Sequence, residues 1–294
     1  MKVSLDLLRS FLAVHRSGSI TAAAELLGLA QPTVTAQIRA LEEAVGRPLF
    51  DRMPRGVLPT PAGDELARRV ADPLDRLDAV LADDTATPYP RTVFLGGPAE
   101  FLAELALPAV AGLVAEGLEL RVFAGLPEQL LDDAAAGRLD LVVSSVRPRR
   151  RGLAAEPLYD EEFALVAAPA WGERLPDPVT PQALRDVPLV AYAEEAPILR
   201  RWWRTVFDTR LTRTPNLVVA DLRAVLAAVV AGAGASVLPT YLCRDELASG
   251  ALRPLSRPAV PPLNTLFLAA RPAVAGRREV QAVRRALLTA AAGW

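Results

Sequence analysis

The chain has 294 residues, long enough for two or three compact units with their own cores. Hydrophobic residues make up 51% and charged residues 23%, which excludes a disordered chain; the net charge of −1 excludes a histone-like binder acting by charge alone. A single cysteine, Cys243, excludes an intramolecular disulfide framework, fits a reducing cytoplasm and reads as a small apolar core residue.

The chain opens without a secretion signal, because Asp6 and Arg9 interrupt the apolar core such a segment needs. Leu5, Leu8, Phe11 and Leu12 give a first helix its core face, and His15, the only histidine, reads as a packed or helix-capping residue near its end. Gly18 stops that helix and the Ser19–Thr21 stretch caps the next, Ala22–Leu27. Gly28-Leu29-Ala30 is a tight turn, and Gln31-Pro32 opens a third helix with proline where a helix start tolerates it. Val34, Ile38, Leu41 and Val45 form one buried stripe of this helix. Thr33, Thr35, Gln37 and Arg39 lie opposite, hydrogen-bonding side chains that suit base edges and phosphates. The pattern is that of a helix-turn-helix; the alternative is an alanine-rich helical hairpin in a globular core.

Arg47–Leu58 is a short hairpin punctuated by Pro and Gly, read as a wing with Arg52 and Arg55 at its tip. These arginines are either solvated or placed for phosphate and minor-groove contact. Thr60 caps the next helix, with Pro61 at its first position and an end near Ala82. Leu66, Val70, Leu74, Leu77 and Leu81 form a packing seam, and Pro73 inside it should kink or locally break the ladder. Residues 1–63 hold seven Lys/Arg against five Asp/Glu, and residues 64–84 three Arg against seven acids, so a mildly basic tip precedes an acidic stem. Asp83–Pro90 reads as a hinge.

From Arg91 strands and helices alternate. Strands are expected at 92–96, 118–124, 139–145, 158–168, 187–192, 217–220, 235–238 and 265–270. Helices are expected at 99–116, 127–137, 197–207, 221–231 and 277–292. Near-continuous apolar strands between helices imply mostly parallel sheets in two similar lobes, 91–160 plus 267–294 and 161–266. The longest apolar run, 224–239, is too short for a membrane span and is interrupted by Gly232 and Gly234.

Residues 5–63 resemble the N-terminal domain of LysR-type transcriptional regulators. The match runs through Leu8, Phe11-Leu12-Ala13-Val14, Gly18-Ser19, Ala22-Ala23-Ala24, Gln31-Pro32, Val34-Thr35, Gln37-Ile38, Leu41-Glu42, Gly46, Leu49-Phe50, Arg52, Arg55 and Thr60-Pro61-Ala62-Gly63. So many positions in register make a specific signal. One departure is Ala30, where the family usually has a capping Ser or Thr; the missing cap should cost about 1 kcal/mol locally. Gly137–Val143 and Val230–Pro239 extend a looser resemblance into the remainder. The resemblance implies an all-α, winged helix-turn-helix DNA-binding domain (1–63), a linker helix and hinge for dimerisation (64–90), and a two-lobed, periplasmic-binding-protein-like α/β effector domain (91–294). Implied partners are double-stranded DNA, a small-molecule effector held between the lobes, a second copy joined through the linker helix with a tetramer as the larger assembly, and RNA polymerase. Expected DNA contacts are Gln31, Pro32, Thr33, Thr35, Gln37, Arg39, Arg52 and Arg55.

Open α/β sheets bind ligands beyond the carboxyl ends of strands. That rule and the resemblance select Gly97, Pro98, Ala99, Glu100, Ser144, Ser145, Tyr192, Glu194, Glu195, Asp221 and Gly234 as effector-binding candidates. Each has a plainer alternative, such as Asp221 as an N-cap, Glu100 favouring a helix start, or serines in solvated turns. The family often presents a hydroxyl at the first of these positions; Pro98 and Ala99 offer none and Glu100 adds negative charge, which favours a neutral or cationic effector. The 147–151 arginine cluster reads as a solvated loop, and Trp202-Trp203 as packing with one ring inward and the other half exposed. An enzyme is not expected: there is no metal-ligand spacing, no G-x-S-x-G and no G-x-G-x-x-G, and neither cofactor nor metal is called for. A solute-binding protein is the competing function, but it needs a secretion signal and leaves residues 1–63 unexplained. The expected location is cytoplasmic, with no membrane contact.

Overall fold

Three helices and a hairpin form the N-terminal head. The computed structural model describes residues 3–53, 56–81, 89 and 91–294. Arg55, the expected hinge apart from Tyr89, and the Leu81 side chain lie outside the described residues. Helix α1 (Leu5–Ser17) starts at Ser4, whose hydroxyl accepts from the Leu7 amide, and ends at Gly18 in the left-handed conformation. Ser19 caps α2 (Ile20–Leu27) in the same way, and Gly28, at φ 64°, turns the chain toward α3 (Gln31–Val45). No side chain caps α3 at Ala30. Strands β1 (Phe50–Met53) and β2 (Gly56–Pro59) pair antiparallel as the wing. Helix α4 (Pro61–Leu81) begins at Thr60, which accepts from the Gly63 amide at 3.1 Å, and stays helical through Pro73.

Phe11, Leu12, Val14, Ala23, Ala24, Val34, Ile38, Leu41 and Leu49 pack into one core with Ala67, Ala71 and Leu74 of α4. Each large aliphatic side chain sealed there contributes about 1.5–3 kcal/mol. The seam of α4 therefore divides: Leu74 is buried in the chain's own head, Leu66 and Val70 are half-buried, and Leu77 is exposed.

The rest of the chain continues as β3 (Val93–Gly97), α5 (Ala99–Phe101), a π-helical turn (Leu102–Ala106), α6 (Leu107–Ala115), β4 (Leu120–Ala124), α7 (Pro127–Ala135), β5 (Leu141–Ser144) and β6 (Ala154–Ala167). It then runs through α8 (Pro169–Gly172), a 3-10 turn (Ala183–Asp186), β7 (Val190–Ala191), α9 (Pro197–Val206), β8 (Leu217–Val218), α10 (Leu222–Val230) and β9 (Ala235–Pro239). It closes with α11 (Arg244–Ser249), β10 (Arg253–Pro254), β11 (Leu263–Ala270), α12 (Pro272–Ala275) and α13 (Arg278–Ala291).

These residues divide into two units. The first holds Met1–Gly97, Val110–Glu156 and Phe267–Leu288; the second holds Pro98–Ala109, Pro157–Leu266 and Thr289–Trp294. In the first unit β3 pairs parallel with β4 and β5, while β11 runs antiparallel to β5. In the second, β6 pairs antiparallel with β9 and β10, the short β7 and β8 pair in parallel, and a single parallel bridge joins Leu189 to Ala235. The expectation of mostly parallel sheets is thus corrected. Strand direction is set by where a connection re-enters the sheet: β11 comes back to β5 from the second unit and runs against it. Trp202 and Trp203 are also corrected: both are buried, at 1% and 4% exposure, in the core of the second unit with Leu165, Leu189, Leu199 and Val237. Arg150 departs from a freely solvated loop by pairing with Glu128 and Asp132.

Within the first unit, charged side chains tie the head and α4 to the α/β sheet layer. Arg16 of α1 donates to the Gly137 carbonyl at 2.6 Å and to Asp75 of α4 at 2.7 Å. Arg271, just before α12, pairs with the same Asp75 at 2.9 Å and with Asp72. Burial works against an ionised Asp75, but the two guanidiniums prevail and hold its carboxyl below the usual range. Arg138 bridges Asp133 and Asp64, and Asp64 accepts from His15 Nε2 at 2.9 Å. His15 is 2% exposed and its Nδ1 has no partner.

Burial lowers the His15 pKa to about 4, with the Arg138 charge assisting against the opposing Asp64 bond. A depressed histidine pKa means that the unfolded chain binds the proton first, so this site's stability is complete above about 6.5 and falls as pH drops toward 4. Thermal unfolding of His15→Gln should be less acid-sensitive than that of the parent chain across this window; equal slopes would contradict the assignment.

Candidate nucleic-acid interface and effector site

Sealing Val34, Ile38 and Leu41 into the head core turns the other side of α3 outward. Gln31, Pro32, Thr33, Ala36 and Arg39 are exposed on it. Thr35 is half-buried and donates its hydroxyl to the Gln31 carbonyl at 3.0 Å, leaving only acceptor capacity for a ligand. Gln37 is also half-buried: its Oε1 accepts from the buried Ser10 hydroxyl at 2.5 Å, which fixes the side chain and leaves its amide nitrogen and one oxygen lone pair uncommitted. Arg52 is exposed on β1. Ala36 gives no signal in the sequence because it carries no polar group, yet it stands in the middle of the exposed face. A small residue there admits close backbone approach and suits contact with a thymine methyl.

Of the effector candidates, Gly97, Ser144 and Ser145 belong to the first unit. Gly97 is buried at the end of β3. Ser144 is fully buried, and its hydroxyl both donates to the Val146 carbonyl (2.7 Å) and accepts from the Val146 amide (3.2 Å). That turn satisfies it, while Ser145 is half-buried.

The remaining candidates belong to the second unit. Pro98 and Ala99 lead into α5, and no side chain caps that helix. Glu100 is partly buried, and burial raises its pKa, with the Asp221 charge adding to the effect. Asp221 caps α10 through the Arg223 amide at 2.8 Å and pairs with the Arg223 guanidinium at 2.7 Å, which holds its pKa down. Tyr192 is half-buried, and its pKa is raised by burial and then by Glu100, Glu161 and Glu195. Glu194 and Glu195 are exposed. Gly234 is buried at φ 147°, where a side chain would collide with the Pro188 carbonyl, so its role there is backbone fit.

Among the described residues, no His/Cys/Asp/Glu group is placed to hold a metal, and no helix is long and apolar enough to cross a membrane.

Residues 5–64 match the profile described as a bacterial regulatory helix-turn-helix protein of the lysR family, and residues 89–292 that of the LysR substrate binding domain. The chain belongs to the LysR family. The transcriptional regulator AbaB of Streptomyces antibioticus is 48% identical over 303 aligned positions, covering 99% of this chain and 100% of AbaB. The fold is shared with ArgP from Mycobacterium tuberculosis, at 24% identity and a TM-score of 0.73, over 98% of both chains. It is shared also with a full-length OxyR variant from Pseudomonas aeruginosa, at 19% identity and a TM-score of 0.75, again over 98% of each. This LysR-type transcriptional regulator carries the helix-turn-helix head and the two-lobed α/β effector domain of its family.

Around Glu100 the second unit adds residues that no motif announces. Glu161 of β6 is 6% exposed and accepts from Asn264 Nδ2 at 2.8 Å. Strand alternation puts it on the same face as Tyr159 and Phe163, a signal present in the sequence. Tyr241, also 6% exposed, sets its hydroxyl beside the Glu161 carboxyl, and among the described residues that hydroxyl makes no hydrogen bond of good geometry. Burial, and then the charge of Glu100, raise the Glu161 pKa to about 7. A raised carboxyl pKa means that the folded chain holds its proton longer than the unfolded one. The resulting stability is complete below about 4.5 and is lost as pH rises through about 7. Glu161→Gln should flatten the decline in stability between about pH 4.5 and 7, read as denaturation midpoint against pH; an unaltered slope across that window would contradict the burial argument.

Proposed function

We propose that this regulator binds a specific duplex site as a homodimer, with α3 of each head in a major groove, and that a small-molecule effector adjusts the binding. The observation that carries this reading is the two-sided α3: an aliphatic stripe locked in the head and a free face of Gln31, Thr33, Ala36 and Arg39. Arg52, with Arg55 beside it in sequence, serves the backbone or a narrow minor groove. Thr35 and Gln37 are assigned a supporting part, because each already makes a bond within the head. The dimer contact is assigned to α4, where Leu77 remains exposed beside half-buried Leu66 and Val70, and a tetramer to further contacts of the effector domains. A twofold pair of heads matches paired half-sites on DNA. The effector acts by favouring one of two head arrangements, which requires unequal affinity for the two. The setting is the cytoplasm, with RNA polymerase as the downstream partner.

The test is quantitative binding to duplex from the gene's own upstream region at several salt concentrations. Arg52→Ala with Arg55→Ala should weaken binding evenly across sequences and reduce the salt slope by about one for each phosphate no longer neutralised. Thr33→Ala should instead change sequence preference with little effect on that slope. A salt slope unchanged in the double arginine variant would count against the wing assignment.

A further inference from the structure

The chemistry of the effector can be narrowed from the second unit alone; this rests on the reading of that unit as effector-binding. We propose that it takes a cationic group, an ammonium or guanidinium, on the carboxylates of Glu100 and Glu161 with the Tyr241 hydroxyl as a neutral partner. Three observations converge.

First, two carboxyls and a tyrosine hydroxyl are gathered on α5, on β6 and just after β9, and their bonding is incomplete. Among the described residues the Glu161 carboxyl accepts one hydrogen bond, from Asn264, although a carboxylate has room for about four. Among the described residues the buried Tyr241 hydroxyl makes no hydrogen bond of good geometry; it lies beside the Glu161 carboxyl, and the charges of Glu161 and Glu100 both act on it. A ligand donor or acceptor would complete the bonding of this buried hydroxyl.

Second, the nearby cations are engaged elsewhere. Arg223 is exposed and paired with Asp221. Arg201 donates to the Leu263 carbonyl and to Asn264 Oδ1. Neither forms an ion pair with Glu100 or Glu161. Tyr159 and Glu162 on β6, Glu104 beyond α5, Tyr192 and Glu195 before α9 and Arg244 on α11 are the other charged and titratable groups around them.

Third, an aromatic cluster adjoins these groups, with Phe101 following Glu100 in the chain and Tyr241 itself a member. Phe101, Tyr241, Tyr159 and Trp294 form a closed edge-to-face circuit, with ring centroids 6.2, 6.3, 5.5 and 5.4 Å apart around it. Aromatic faces favour cations, whereas an anion here meets two carboxyls. The start of α5 offers an anion little: Pro98 has no amide hydrogen and Ala99 no hydroxyl.

A bound cation also favours ionised Glu161, which is about half-protonated near neutrality, so binding must release protons. The experiment uses the full chain and titrates agmatine and phenethylamine, with hydrocinnamate as the acid counterpart, by calorimetry in two buffers of different ionisation enthalpy at neutral pH. An amine should bind with buffer-dependent heat. Glu100→Gln should weaken that binding about tenfold or more, and Glu161→Gln should abolish the proton release. Binding of the acid but of neither amine, amine binding indifferent to both substitutions, or silence toward both amines overturns the proposal. Duplex retention is measured on the same preparations. Intact retention beside failed amine binding refutes the cationic ligand alone; failed retention in the parent chain refutes the regulator reading itself.

Discussion

The head depends on one constraint: the stripe Val34, Ile38 and Leu41 of α3 has nowhere to go but the core made by Phe11, Leu12, Leu49 and Ala67. Rotating α3 to bury its other face would expose those aliphatic groups and seal Thr33 and Arg39 away from water. Burial of a few large side chains at about 1.5–3 kcal/mol each outweighs the about 1 kcal/mol forgone through the missing cap at Ala30. The face left outward is therefore set by the core rather than by the polar residues themselves. The same core takes in Ala67, Ala71 and Leu74, so α4 leaves the head in a fixed direction.

Along α4, the acids do what the apolar residues do beside them. Asp75 is gripped by Arg16 from α1 and Arg271 from the α/β layer, and Asp64 by His15 and Arg138. Buried ion pairs add little net stability once desolvation is counted, but removing one partner leaves an uncompensated charge. Their effect here is on geometry: they set the head and α4 in register with the first sheet. Asp64 and Asp75 of the acidic stem thus have a structural role within one chain.

The head is legible in the sequence because its signals are local. Caps at Ser19 and Thr60, left-handed glycines at 18 and 28, and the spacing of Val34, Ile38 and Leu41 each act within a turn or two of helix. The strand-helix alternation after Arg91 is equally readable, although α8, α11 and α12 are too short to leave a period. What escapes depends on partners far along the chain. Glu161 meets Asn264 across 103 positions, and Arg16 meets Gly137 across 121. Sheet direction escapes for the same reason, since the apolar pattern of a buried strand is alike in both senses. A narrow helix face suggests that one of Trp202 and Trp203 is half exposed, but the core of the second unit surrounds α9 closely enough to bury both rings. Among the site candidates, Ser144 and Gly234 prove bound up in backbone geometry, whereas Glu100 is partly buried, its pKa raised by burial and then by the Asp221 charge.

The claim beneath all of this is that the outward side of α3 meets base edges in the major groove. Methylation interference on duplex from the gene's upstream region addresses it directly, because guanine N7 lies in that groove. The account predicts two patches of interference one helical turn apart, or a multiple of it, on a twofold-related site. Full binding to duplex methylated throughout, or interference confined to minor-groove adenines, would contradict it.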